Sequence, residues 1–410
     1  MTDRCHPSLA GSHLVLGLTL ALVLLSASGA TRALDRYRQE IIVGGIPRQV
    51  TVPAGLHLEL LSDKLDGPRM LTFASNGELL AGSRSGNVYR LLPPKFAPEV
   101  LLRLDDYPHS LALRPGEILI AQSDGLYRAP YRPGQARIPP ETLTLLARLP
   151  SGGGHSSRTV AVGPDQRVYV SLGISGNCSD EYLGGGYPFQ KSRGGLLVLR
   201  EAQGQAYFEP FASGLRNPVG FAWQPDTGAL YASNNGPDHL GYEQPPEYFS
   251  RLAPGSFHGM PWFQFDGKEM RRDRCIERPP PRPLGQVTAP ATTFPARSAP
   301  MGVAFVPPGS LLPELQGDAV VAIHGSWATR PSGGSWGSPA TRRPPKLARV
   351  VFRGGTPQGV EDLVSGFQES DGERWARPVG VAFGPDGALY FSSDGGINGL
   401  FRLKPIGPPP

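Results

Sequence analysis

Six times along the chain the same short pattern returns, and this repetition limits the fold more than any other feature. The units open at Pro68-Arg69-Met70-Leu71-Thr72-Phe73, Pro108-His109-Ser110-Leu111-Ala112-Leu113 and Ser157-Arg158-Thr159-Val160-Ala161-Val162. Three more open at Pro218-Val219-Gly220-Phe221-Ala222-Trp223, Pro300-Met301-Gly302-Val303-Ala304-Phe305 and Pro378-Val379-Gly380-Val381-Ala382-Phe383. Turn signals follow most of them, such as Asn76-Gly77, Pro164-Asp165, Pro225-Asp226 and Pro385-Asp386-Gly387, and a second apolar strand comes next. A unit of three or four short strands cannot bury its apolar faces alone, whereas several packed side by side can. The pattern predicts an all-β fold, a six-bladed β-propeller spanning residues 34–405. The small residues of each opening suit strands crowded around a central axis. The stretch from Gln49 to Ser62 supplies an extra strand that completes the last blade beside the C-terminus and closes the ring. Residues 406–410 read as a proline-rich tail.

Composition agrees with this. The chain has 53 Gly and 45 Pro among 410 residues, spread evenly between apolar runs. No 15-residue stretch beyond residue 40 is free of both, which excludes long amphipathic helices. At 39% hydrophobic residues the chain is not disordered. Lys and Arg exceed Asp and Glu by 40 to 35, without like-charge blocks, so nucleic acid is excluded as a partner.

Residues Leu14 to Leu25 form an apolar run followed by the small residues Ser26 to Ala30, which reads as an export signal over residues 1–33. The run is short for a membrane span, and membrane association is expected only if the signal is left uncleaved. The expected location is periplasmic or secreted. With Cys5 inside the signal, Cys178 and Cys275 remain, and in an oxidising compartment they form one disulfide or stay as two free thiols.

Spacing between units grows where loops are inserted, Asn177 to Arg193 in unit three and Asp238 to Arg297 in unit four, so chemistry is expected at that mouth. His155 follows Gly152-Gly153-Gly154 and precedes an inner strand, which places an imidazole at the rim of the channel. It is either a general base or a hydrogen-bonded rim residue. Arg216-Asn217 before Pro218 and Arg377 before Pro378 take matching rim positions, as anion ligands or as inter-blade salt bridges. Asn235-Gly236-Pro237 ends a strand of unit four and either offers hard oxygens to Ca²⁺ or is a plain turn.

These residues carry a resemblance. The run from His155 to Tyr169, Gly214-Leu215-Arg216-Asn217-Pro218-Val219-Gly220 and Asn235-Gly236-Pro237 look like the soluble quinoprotein glucose dehydrogenases. Glu247-Tyr248-Phe249 and Ile323-His324-Gly325-Ser326-Trp327 resemble the sorbosone and pyranose dehydrogenase branch, and the likeness covers residues 45–405. It implies a six-bladed propeller that holds pyrroloquinoline quinone on Ca²⁺ and oxidises an aldose at the anomeric carbon, passing electrons to an external acceptor. It further implies His155 as the base, Arg216 and Asn217 on the quinone oxygens, and Arg377 on a cofactor carboxylate. Gly236 and Pro237 would give carbonyls to Ca²⁺, with Asn235 beside them. The chain departs from the glucose enzymes at Val379, where they carry a second arginine, and at Gly154, where they carry an acid. Their blade-five lysine has no match, and His324 and Trp327 are the nearest candidates for its place. Two other functions compete, a propeller that binds a sugar or partner without catalysis and a metal-dependent lactonase. The latter needs Glu, Asn and Asp side chains converging on the axis.

Overall fold

The computed structural model describes residues 34–407; the segment read as an export signal and the last three residues of the tail lie outside the described residues. From Asp35 onward the chain forms one compact unit. Among the described residues there is no α-helix, only five three-residue 3-10 turns.

Each opening is the innermost strand of a blade. Blades one and two begin with Pro68–Phe73 and Ser110–Arg114, three and four with Val160–Val162 and Phe221–Trp223, five and six with Pro300–Phe305 and Ala376–Phe383. Each pairs antiparallel with the next strand outward, building four-stranded sheets in blades one, two, four and five. Blade three gains a short fifth strand, Ser256–Phe257, parallel to its outer edge. In blade six the chain from Leu389 to Pro405 bends at Gly395-Gly396, so that one half pairs with Ala376–Phe383 and the other with Leu56–Ser62. The last strand therefore comes from the N-terminal side, which closes the ring and leaves no open edge between first and last blades. The Gln49–Ser62 stretch is not one strand, because Gly55 turns it at φ +81°. Ile46–Pro53 pairs instead with Arg36–Val43 as a separate hairpin. That hairpin is tied down by Gln39, whose side-chain amide mimics a strand neighbour: Leu58 N–H donates to Oε1 at 2.8 Å and Nε2 donates to Leu58 O at 2.5 Å.

Glycine at the inner strands is a steric requirement. A Cβ at Gly220 would overlap the Met301 carbonyl oxygen, one at Gly380 the Arg69 carbonyl, and one at Gly302 would stand 2.6 Å from Val379 O. Blades four, five, six and one thus meet backbone to backbone along the axis. Serines on the second strands seal these contacts. Ser233 Oγ accepts Gly220 N–H at 3.1 Å and donates to Met301 O at 2.6 Å, and Ser392 does the same between Gly380 and Arg69. Because a hydroxyl takes a ladder position, the inner strand peels away from its neighbour at that end, and residues 155–157, 216, 217 and 219 line a cavity.

Between blades the faces are apolar. Tyr231, Phe249, Phe294, Phe305 and Phe352 fill the space between blades four and five, with Tyr231 stacked on Phe249 at 5.3 Å and edge-on to Phe352 at 5.2 Å. Truncating one such ring costs about 3–5 kcal/mol.

Candidate functional site

The two long insertions come together above blades three and four. Phe263–Phe265 pairs with Met270–Arg272, and Tyr182, Phe257, Trp262, Phe263 and Ile276 pack beneath them as a small apolar core. Cys178 and Cys275, 97 residues apart, are disulfide-bonded across this unit with 6.2 Å between their Cα atoms. Cys275 also lies beside His239 and Asp273, but with its sulfur in the disulfide the trio offers no thiolate to a metal.

Below it a cavity of about 530 Å³ opens at the start of the inner strands. His155, Arg216, Asn217, Arg377, His324 and Trp327 all line it, together with Asn235 and Gly236. Val219 and Met301 line it too, and the next residues along those strands, Gly220 and Gly302, line a second cavity of about 320 Å³ within the channel. Pro237 is absent from the larger cavity's lining. Its carbonyl accepts from Arg297 Nη1, which also pairs with Asp238 at 2.9 Å.

His155 is oriented by one bond. Its Nδ1 lies 2.6 Å from the Ile174 carbonyl, so Nδ1 carries the proton and Nε2 keeps its lone pair. Burial, followed by the charge of Arg216 and then of Arg193 and Arg158, lowers its pKa to about 4. The ring is therefore a neutral imidazole at neutral pH. Gly173 makes room for it: a Cβ there would stand 2.8 Å from His155 Cβ and 2.7 Å from Asn217 Oδ1. The absent side chain is what lets these two residues approach.

Arg216 is buried. Its Nε donates to Asn177 O at 2.8 Å, Nη2 to Asn177 Oδ1 at 2.9 Å and Nη1 to Asn235 O at 3.4 Å. Asn217 Oδ1 and Asn235 Oδ1 are buried and accept no hydrogen bond among the described residues. Glu247, at the cavity wall, accepts Gly236 N–H, and burial lifts its pKa to about 7. On the other side Arg377 donates to the His324 and Gly325 carbonyls, both at 3.0 Å, and to His324 Nδ1 at 2.8 Å. His324 Nε2–H donates to Asp394 Oδ1 at 2.6 Å. Asp394 also meets Arg69 at 2.5 Å and Arg84 at 3.3 Å. Burial alone would raise the Asp394 carboxyl, but the His324 hydrogen bond and the Arg69 charge outweigh it and hold it well below the usual carboxylate range.

Sequence reading missed Arg69, Arg84, Arg297, Glu247 and Asp394. Arg69 had a signal, since it stands second in its opening just as His109 and Arg158 do. Glu247 stands in a motif of the resemblance but had no site role there, and Asp394, inside the Leu389–Pro405 strand just before its bend, carries no such mark.

The cavity suits a polyanion. Five arginines, Arg69, Arg84, Arg216, Arg297 and Arg377, line it against two carboxylates, Asp238 and Glu247. For a hard cation, the two unpaired amide oxygens beside Glu247 are suitable donors, whereas the Pro237 carbonyl already faces a guanidinium.

Among solved structures, the chain is similar to the iodide structure of the Trichoderma reesei Carbohydrate-Active Enzymes Family AA12 protein. The TM-score is 0.73 at 18% identity, covering 87% of this chain and 97% of that one. It is also similar to the holo form of the pyranose dehydrogenase PQQ domain from Coprinopsis cinerea, with TM-score 0.69 and 19% identity over 87% of this chain and 97% of that chain. An uncharacterized protein of Borreliella burgdorferi is 23% identical over 370 residues, 87% of this chain and 91% of its own length. The TrAA12-like family model matches residues 50–247 and 284–401, and on that match, over a closed ring of six blades, the chain belongs to the TrAA12-like family.

Proposed function

We propose that this protein is a quinone- and calcium-dependent dehydrogenase that oxidises an aldose or related pyranose at the anomeric carbon. One observation carries the reading: an imidazole with a bare Nε2 shares a single cavity with five arginines. The likeness to the Coprinopsis cinerea PQQ domain supports the choice of cofactor. When bound, the quinone supplies a two-electron acceptor for the hydride of the anomeric carbon.

The chain's own residues do the rest. His155 Nε2 takes the hydroxyl proton, a role worth about 10²–10⁴ in rate. Arg216, already stripped of water, would hold a quinone oxygen, and as a desolvated donor it needs no reorganisation to do so. Arg377, Arg69 and Arg84 would hold the cofactor's carboxylates, and His324, pinned between Arg377 and Asp394, fixes the direction of the Arg377 fork. Asn217 Oδ1, Asn235 Oδ1, the Gly236 carbonyl and Glu247 would hold the cation, which would keep Glu247 ionised. Trp327, half exposed at the cavity edge, offers an apolar face to a sugar ring. The disulfide supports export to the periplasm or medium, and electrons then leave to an external acceptor. Cell fractionation followed by N-terminal sequencing checks that point; protein confined to the cytoplasm contradicts it.

A second reading has one observation in its favour. Glu247, Asn217, Asn235 and Asp238 line the same cavity, as a metal-dependent lactonase would require. Asp238 is ion-paired to Arg297, which weakens it as a ligand. A single assay separates the two: apoprotein is supplied with Ca²⁺ and pyrroloquinoline quinone and offered several aldoses with a redox dye, and in parallel a sugar lactone with Ca²⁺ alone. Dye reduction that needs the quinone supports the dehydrogenase. Lactone hydrolysis without dye reduction overturns it.

A further inference from the structure

Arg216 enters the cavity from blade four, but its guanidinium is held from blade three. Two of its three donors go to one residue, Asn177, at the backbone oxygen and at Oδ1. The same Oδ1 accepts Asp238 N–H at 2.8 Å, so both side-chain bonds of Asn177 use the oxygen. Asn177 is exposed and fills no core. What fixes it is its neighbour, Cys178, bonded to Cys275.

From there the contacts run back to their start. Cys275 N–H donates to Asp273 Oδ1 at 3.0 Å, and Asp273 Oδ2 meets His239 Nε2 at 2.9 Å. His239 follows Asp238, whose Oδ2 is 3.9 Å from Arg216 Nη2. On the loop itself Ser179 Oγ accepts Gly176 N–H at 2.8 Å, and Glu181 accepts Ser175 N–H, so the turn around Asn177 is pinned on both sides. A long arginine left to itself samples many rotamers; this closed circuit selects one.

We infer that Asn177, fixed by the Cys178–Cys275 disulfide, is a positioning residue that aims Arg216 into the cavity. Its catalytic consequence rests on the function proposed above; the clamp itself does not. The test is therefore read on protein without cofactor. Phenylglyoxal is added, and labelling at Arg216 and Arg377 is followed separately by peptide mass spectrometry. Asn177→Ala loses the charge-assisted bond from Arg216 Nη2 and the bond from Asp238 N–H while keeping the backbone oxygen, and should speed labelling of Arg216 about tenfold while leaving Arg377 unchanged. Asn177→Asp retains the accepting oxygen and should restore protection. The double variant Cys178→Ser with Cys275→Ser should expose Arg216 as Asn177→Ala does. Unchanged labelling of Arg216 in Asn177→Ala overturns the inference. So does equal acceleration at Arg377, which would mean general loosening, or failure of Asn177→Asp to rescue. If wild type reconstituted with quinone turns over, Asn177→Ala should lower kcat more than it raises KM. A wild type that never turns over counts against the proposed function and leaves the labelling result standing.

Discussion

The two halves of the cavity rim hold their cations by different means. On the side of blades five, six and one, a single buried carboxylate, Asp394, gathers Arg69, Arg84 and His324, with Arg377 attached through His324. On the side of blades three and four, guanidinium groups are held mainly by backbone carbonyls. Arg158 donates to His155, Ser157 and Pro150 oxygens, and Arg193 to Gly152 and Gly173 oxygens. Both are buried, and among the described residues neither forms an ion pair with a carboxylate. Carbonyl dipoles satisfy the donors without cancelling the charge. The first half is thus partly neutralised by Asp394; in the second, Asp238 pairs with Arg297 and lies 3.9 Å from Arg216, while Arg158 and Arg193 keep their positive charge near His155.

The largest effect should follow from attacking the neutralised half. Asp394→Asn strands Arg69 as an uncompensated buried charge and is expected to cost about 3–5 kcal/mol in urea unfolding. Arg158→Met, on the carbonyl-held side, should cost only about 1–3 kcal/mol, the penalty of leaving carbonyls unsatisfied. Equal costs would erase the distinction.

Titration probes the same contrast. His155, His258 and His324 are each lowered to about 4, chiefly by burial. The unfolded chain binds protons near the ordinary histidine value, so stability is full above about pH 6.5 and is lost as pH falls toward 4. His258, in the insertion over the carbonyl-held half, owes its shift to burial without a charged neighbour and contributes about 3 kcal/mol to that slope. His258→Asn should flatten the decline of Tm between those pH values by one histidine's share; an unchanged slope contradicts the assignment.

Much of this architecture was legible. The six openings marked the inner strands, and their Gly, Ala and Ser content reported the axial crowding now seen at Gly220, Gly302 and Gly380. The rim residues His155, Arg216 and Arg377 were legible because proline or glycine punctuates the chain beside them. Asp394, Glu247 and Asn177 were not, because their roles arise from neighbours hundreds or tens of residues away: Asp394 meets Arg69 across 325 positions. The division of Gln49–Ser62 was missed because a single Gly within an apolar run does not announce whether the chain turns there or bulges.

Smaller effects sharpen the picture on the His155 side. Gly173→Ala pushes His155 away from Asn217 and should lower kcat/KM about 10²-fold in the reconstituted protein while leaving the circular dichroism of the sheets unchanged. Arg193→Met removes positive charge near His155, which favours the protonated ring. The acid limb of the kcat/KM profile should move up, and a shift downward would contradict the field described here.

The most direct measurement sets wild type beside His155→Ala, titrating each apoprotein with pyrroloquinoline quinone in the presence of Ca²⁺ by absorbance and then adding sugar and dye. The account predicts one saturable site of similar Kd in both, with turnover lower in the variant by about 10²–10⁴. Absence of quinone binding in wild type, or full turnover without the imidazole, would contradict it.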